Sequence, residues 1–208
     1  MYLGIPELME HYPELGSVEK EIKYAVERIA AGFRKGGKLL LCGNGGSASD
    51  CQHIAGELIK GFASKRKPGE SRRRELEKKG VSCKVIDGLQ EGLPAIPLIG
   101  ADALCTAVLN DMAPSLIFAQ QVYALGRAGD VLWAISTSGN AENVINAVKV
   151  AKAMGLFTIA LSGKDGGWSG KNCDCAIIAP ADETYRVQEY HLPIYHAICR
   201  EVERKFFL

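Results

Sequence analysis

Leu39-Leu40-Leu41-Cys42-Gly43-Asn44-Gly45-Gly46-Ser47-Ala48-Ser49-Asp50, continuing through Cys51-Gln52-His53-Ile54-Ala55-Gly56-Glu57-Leu58, is the stretch whose reading decides the fold. An apolar run with buried-strand character ends in glycines and small hydroxyl residues, and a helix-compatible segment follows. Glycines let a backbone approach an anion closely, Ser47 and Ser49 offer hydroxyls, and the first amides of a helix favour negative charge. Phosphate is the natural guest of such a turn. His53 and Glu57 stand four apart, which places an imidazole and a carboxylate on one helix face.

Outward from this unit, strands and helices alternate. Upstream, Val18, Ile22, Ala25, Val26, Ile29, Ala30 and Phe33 recur at helical spacing, so a helix is expected over about 17–35, with Ser17 as N-cap and Gly36-Gly37 as its stop. The first strand is expected at Lys38 to Cys42 and its helix from Gly46 to about Gly61. Downstream, strands are expected at 95–99, 130–135, 157–161 and 175–179. Helices are expected at 102–110, at 115–125 with Pro114 as an entry signal, over the periodic run Val144 to Met154, and from about Glu183 to the end. Each strand is a near-continuous apolar run, which implies a sheet covered on both faces. The expected fold is a three-layer α/β/α sandwich with a five-stranded, mostly parallel sheet. The chain reads as a single domain, 1–208, with ligands beyond the carboxyl ends of the strands.

Only 63–91 breaks the pattern. Its run of Lys and Arg among acids reads as a basic insertion, a solvated helix or excursion rather than a polyanion site, with some bases available to a phosphorylated substrate. Over the whole chain, 25 Lys and Arg balance 24 acids for a net charge of +1, which points to neither nucleic acid nor membrane. No apolar run approaches the ~20 residues of a bilayer span, and Met1-Tyr2-Leu3-Gly4-Ile5-Pro6 lacks signal-peptide character. A cytoplasmic protein is expected. Seven cysteines without a recognisable framework fit a reducing compartment, and Cys173 and Cys175 read as strand-edge residues.

A second strand-to-helix turn, Ser136-Thr137-Ser138-Gly139-Asn140, repeats the chemistry of the first. One glycine-serine turn is weak evidence, because those residues are common in turns. Two of them at strand ends point to an anion or polyol site. A dinucleotide cofactor is not expected, since Gly43, Gly45 and Gly46 do not give the G-x-G-x-x-G spacing.

Taken together, Cys42-Gly43-Asn44-Gly45-Gly46-Ser47 with Asp50, Gln52-His53 and Glu57, then Leu93-Pro94-Ala95-Ile96, Asn110-Asp111, Gly129-Asp130-Val131-Leu132 and Ser136 to Asn140 form a combination of motifs. With Ser162-Gly163-Lys164-Asp165-Gly166-Gly167 and Arg186-Val187-Gln188-Glu189 plus His191 and His196, this combination resembles the phosphosugar isomerase domain, and within it the phosphoheptose isomerases. The resemblance runs from about residue 17 to the end, with 63–91 as its main gap. It implies a homotetramer with active sites at subunit boundaries. The implied reaction converts sedoheptulose 7-phosphate to D-glycero-D-manno-heptose 7-phosphate, for heptose-containing surface glycans.

By the same resemblance, Ser47 on the Gly45-Gly46 turn and Ser136, Thr137 and Ser138 on the second turn are phosphate ligands, and Asn44 and Asp102 are sugar-hydroxyl ligands. Glu57 is the implied catalytic base and His196 its partner, with Gln188 also at the substrate. His53, Glu57, Gln188 and His196 match positions that hold zinc in some members. Two residues depart from the family pattern: Ala141 stands where a phosphate-binding serine often follows, and Tyr185 where some relatives carry an aspartate. Those departures and the length of 63–91 bear on the identity of the sugar.

The residue types suit the chemistry independently of the resemblance. An aldose-ketose isomerisation moves a proton between adjacent carbons through an enediol, so it needs a base near both and a donor for the developing oxyanion. A divalent ion can polarise the carbonyl instead, but Glu57 bound to a cation is a poorer base. Gln188 and His196 are eight residues apart, a rise of ~12 Å on a straight helix, so both reach one ion only if the helix bends, as Pro193 permits, or if they lean from opposite sides. His191, one turn from Gln188, is the competing ligand; it and His11 read as structural histidines. Two other functions share the fold: a non-catalytic tetramer that binds a phosphosugar or a replication initiator, and an isomerase for another sugar phosphate.

Overall fold

The computed structural model describes residues 4–208, so the N-terminal reading at Met1 to Leu3 lies outside the described residues. Five strands form one sheet: β1 (Leu39–Gly43), β2 (Ala95–Pro97), β3 (Val131–Ile135), β4 (Phe157–Ser162) and β5 (Cys175–Ile178). Their order is β2-β1-β3-β4-β5, and all four pairings are parallel. This is the expected sandwich, with the sheet parallel throughout.

Strand alternation explains the layers. Leu39 and Leu41 of β1 and Val131, Trp133 and Ile135 of β3 face one core, whereas Leu40, Cys42, Leu132 and Ala134 face the other. The first core is closed by α1 (Ile5–His11), α2 (Glu19–Arg34), α3 (Gly46–Ile59) and the long C-terminal helix α10 (Thr184–Phe207). The second is closed mainly by α7 (Ile117–Leu125) and α8 (Glu142–Ala153). Three shorter helices follow β1 and β2 before α7: α4 (Glu70–Lys78), α5 (Cys83–Gly88) and α6 (Asp102–Asp111); α9 (Gly167–Asn172) precedes β5. Among the described residues no helix is long and apolar enough to cross a membrane.

Some boundaries differ from the sequence reading. Ser17 does not cap α2: it lies in a 3-10 turn, Pro13–Val18, where its hydroxyl donates to the Glu14 carbonyl at 3.2 Å, and Val18 takes the N-cap position. Proline at the start of that turn sets a tighter spiral before the α-helix begins. Helices α1 and α9 went unread because each is too short to show a period. Cys175 opens the edge strand β5, as expected, but Cys173 belongs to the end of α9; all seven cysteines are free thiols.

Candidate active site

The sheet itself creates the site. Gly43 at the end of β1 pairs with Ile135 at the end of β3, so Asn44 and Ser136 leave neighbouring strands together. From there α3 turns to one face and α8 to the other. The gap between β1 and β3 is therefore the topological switch point, where open parallel sheets bind their ligands.

Both turns are built rigidly there. Gly45 adopts φ of 54°, a left-handed conformation that a side chain disfavours, and it is the N-cap of α3 without any side-chain bond closing that end. The Ala48 and Ser49 amides return to the Asn44 and Gly45 carbonyls, while Ser47 sits buried in the first turn. Opposite, the Gly163 amide donates to the Thr137 carbonyl at 3.1 Å, and Gly139 closes a turn onto Ser136 at 3.0 Å. Asn140 locks that turn to the loop after β4: its amide group donates to the Ser138 carbonyl at 3.0 Å and its oxygen accepts from the Trp168 amide at 2.9 Å. Asn44 and Asn143 exchange a reciprocal pair of side-chain hydrogen bonds at 2.9 Å. Asn143 also accepts from the Val144 amide at 3.0 Å, which serves the N-terminus of α8 where Ala141 offers no side-chain cap. Asp102 opens α6, exposed, just past the end of β2.

The reactive side chains lie farther along α3, and α10 delivers their partners. Gln188 lies against Gly46 so closely that a Cβ there would overlap its amide nitrogen. The His196 and His53 Nε2 atoms are 3.4 Å apart, and Glu203 accepts from the Phe62 and Ala63 amides at 2.9 and 2.8 Å. Contact thus advances in step along both helices, which run parallel. Asp50, His53 and Glu57 share one face of α3 at i, i+3 and i+7. His53 Nε2 is 3.2 Å from Glu57 Oε1, and Lys60 Nζ is 3.1 Å from Glu57 Oε2. On the far side of the ring, His53 Nδ1 meets the Tyr195 hydroxyl at 3.0 Å. Burial and the neighbouring His53 together hold the His196 imidazole below its ordinary value.

The structure gathers His53, Glu57 and His196 at one point and Asn44, Gly45, Gly46, Ser47 and Gln188 at another. Gln188 does not join the histidines: eight residues separate it from His196 within α10, a rise of ~12 Å, even with Pro193 inside the helix. The zinc set implied by the resemblance fits in kind, since two imidazoles, a carboxylate and an amide oxygen are apt donors. Yet among the described residues no group of three or more His, Cys, Asp and Glu side chains is arranged to hold a metal ion. His191 is fully buried, with both ring nitrogens lacking a hydrogen bond of ordinary geometry, and burial pushes it down to about 4. His11 lines a small cleft of about 140 Å³ beside His196, and its Nδ1 lies 3.1 Å from the Glu7 carbonyl. Tyr185 is exposed on the first turn of α10.

Sequence reasoning missed three groups. Tyr195 carried no local signal beyond its place beside His196. Arg66, hidden in the basic insertion, is buried: its Nε donates to Glu203 at 2.8 Å, and its other nitrogens donate to the Leu58 and Glu57 carbonyls at 2.8 and 3.1 Å. Glu203 is its equally buried partner. The insertion is therefore anchored at the end of α3, beside the Glu57 backbone, while α4 beyond it buries no residue and engages Arg73, Arg74 and Lys79 in ion pairs with its acids.

A model of the SIS domain matches residues 8–79 and 92–163, leaving out only part of the insertion between them. A phosphoheptose isomerase of Clostridium acetobutylicum is 41% identical over 192 residues, 92% of this chain and 86% of the relative. That of Helicobacter pylori is 40% identical over 192 residues, 92% of this chain and 88% of the relative. Among solved structures, the phosphoheptose isomerase of Neisseria gonorrhoeae superposes with a TM-score of 0.76 at 34% identity, covering 96% of this chain and 94% of that one. With its fold and almost its full length shared with these relatives, the chain belongs to the SIS domain family and, within it, to the phosphoheptose isomerases.

Proposed function

We propose that the chain isomerises sedoheptulose 7-phosphate to D-glycero-D-manno-heptose 7-phosphate, with Glu57 and His196 as the proton-transfer pair. The observation that carries the assignment is the convergence of Glu57 Oε1 and His196 Nε2 on one atom, His53 Nε2, at 3.2 and 3.4 Å. A non-catalytic phosphosugar binder needs the turns but no carboxylate and imidazoles held together. In this reading the turn hydroxyls of Ser47, Ser136, Thr137 and Ser138 and the open N-terminus of α3 hold the phosphate. Asn44 and Asp102 fix sugar hydroxyls. Glu57 takes the proton from one carbon, and His196 supplies or removes a proton at the adjoining oxygens as the enediol forms and collapses.

The two groups of residues are separated along α3, Ser47 from Glu57 by ten residues or ~15 Å of rise. One protomer therefore offers two half-sites, and the proposal includes a homotetramer in which a second copy brings its turns and its Gln188 to the Glu57, His53 and His196 of the first. His53, Glu57, His196 and the second copy's Gln188 would then hold zinc, which supplies polarisation of the sugar carbonyl when bound. A cytoplasmic role in making heptose for surface glycans accords with this substrate.

Incubating the protein with sedoheptulose 7-phosphate and analysing the product tests the assignment. The expected result is aldose formation that Glu57→Gln lowers by about 10²- to 10⁴-fold with folding intact. No aldose from the wild-type protein, or full turnover by the variant, would refute it.

A further inference from the structure

Arg66 belongs to the basic insertion, yet it is buried and directs each arm of its guanidinium to a different acceptor. Nε donates to Glu203 Oε1 at 2.8 Å, Nη1 to the Leu58 carbonyl at 2.8 Å and Nη2 to the Glu57 carbonyl at 3.1 Å. Glu57 and Leu58 stand in the last turn of α3, where carbonyls run out of partners within the helix, and a cation there is favourable. Arg66 therefore closes the C-terminus of α3. Glu203 joins that closure to α10, because it also accepts from the Phe62 and Ala63 amides at 2.9 and 2.8 Å. Those bonds bring the Phe62 ring to the His196 imidazole, with centroids 5.4 Å apart at 46°. His196 and Glu203 are seven residues apart, on one face of α10. Both ends of the insertion meet here, since the Glu91 amide donates to the Arg66 carbonyl at 2.6 Å and the Leu93 amide to the Leu58 carbonyl at 2.9 Å.

We propose that Arg66 and Phe62 are positioning residues that set the spacing of Glu57 and His196, Arg66 through the Glu57 carbonyl and Phe62 through the plane of the His196 ring. The inference deepens the isomerase reading and rests on it for its effect on turnover. The His196 ring also meets His53, with centroids 4.9 Å apart at 83°, so Phe62 gives that imidazole a second ring to bear on. The hold on Glu57 needs the planar fork of a guanidinium, which reaches one carboxylate and two carbonyls together; a lysine has a single nitrogen for all three. The rest of the insertion has no such role, for α4 buries no residue.

The test compares Arg66→Lys, Phe62→Leu and the surface variant Arg74→Ala with the wild type. It reads the histidine Cε1–H resonances by NMR without substrate, inorganic phosphate binding, and steady-state turnover of sedoheptulose 7-phosphate. Arg66→Lys is expected to move the His53 and His196 resonances and to leave phosphate binding intact. Its kcat should fall by about 10- to 100-fold with KM little changed, as a displacement of about 1 Å between reacting groups does. Phe62→Leu keeps the amide that Glu203 accepts from, so it should fold, shift His196 and lower kcat by about 10-fold. Arg74→Ala, which removes only an exposed ion pair with Glu70, should match the wild type. Unmoved His53 and His196 resonances in Arg66→Lys, wild-type kcat in Phe62→Leu, or an equal loss in Arg74→Ala would overturn the proposal. Should Arg66→Lys not fold, an unshifted His196 in Phe62→Leu overturns it just the same. A wild-type protein that forms no aldose would refute the isomerase reading alone, because the resonances report the junction without substrate.

Discussion

In the proposed site the strand-end turns and the α3–α10 pair each supply half, and the two regions are specified by different physics. Each turn is local: glycines with left-handed backbone, short hydroxyl side chains and asparagines that bond within a few residues or across one strand pairing. The helix pair is built by contacts between residues 140 to 143 apart, running from His53–His196 to the Glu203 anchor. A turn can therefore survive much change elsewhere in the chain. The reactive pair depends on α10 keeping its register on α3 over its whole length.

If that contrast holds, damage at the far end of α10 should disable the chemistry while sparing the phosphate turns. Arg66 and Glu203 are both fully buried as side chains, with Glu203 also taking the Phe62 and Ala63 amides. Glu203→Ala leaves Arg66 buried without its partner, so a loss of about 3–5 kcal/mol in denaturant unfolding is expected. Turnover should fall further than inorganic phosphate binding does; equal loss of both would break the contrast. Acid should produce the same weakness. Burial alone would raise the Glu203 carboxyl, but the two amides and Arg66 outweigh it and hold it below its ordinary value. Its contribution is thus present at neutral pH, above the unfolded value, and is lost as the pH falls through the folded one.

A smaller effect comes from His191, in the first third of α10. Burial holds it at about 4 against an ordinary 6.5, so the unfolded chain takes up its proton first. The stability it contributes is whole above 6.5 and is lost between 6.5 and about 4, by about 3 kcal/mol. His191→Leu should flatten the stability profile over that interval; an unchanged slope would show that α10 responds to acid through other groups.

The same division explains what could be read from the sequence. The strand at Leu39 to Gly43, its glycine turn and the matching turn at Ser136 to Asn140 carry their signal in adjacent residues, so the parallel sandwich and the anion end were legible. His53 and Glu57 were legible as a pair because a single helical turn joins them. Tyr195 was not, since its meaning comes from His53, more than a hundred residues away. Arg66 looked like one more surface base in 63–91, and only the placement of Glu203 makes it an anchor. Ser17 was read as a cap because the preceding proline turn, too short for a period, was not seen. Helical rise already sets Gln188 and His196 ~12 Å apart along a straight helix, and α10 is one helix across Pro193.

The central claim is that the turns of one copy and the α3–α10 pair of another together make one isomerase site. Subunit mixing tests it most directly. A Ser47→Ala/Ser138→Ala protein, disabled at the phosphate end, is combined with Glu57→Gln, disabled at the base, under conditions where subunit exchange is confirmed. The account predicts that each alone is nearly inactive on sedoheptulose 7-phosphate and that the mixture regains turnover, because some sites then receive two intact halves. Confirmed exchange without any gain in turnover would contradict it.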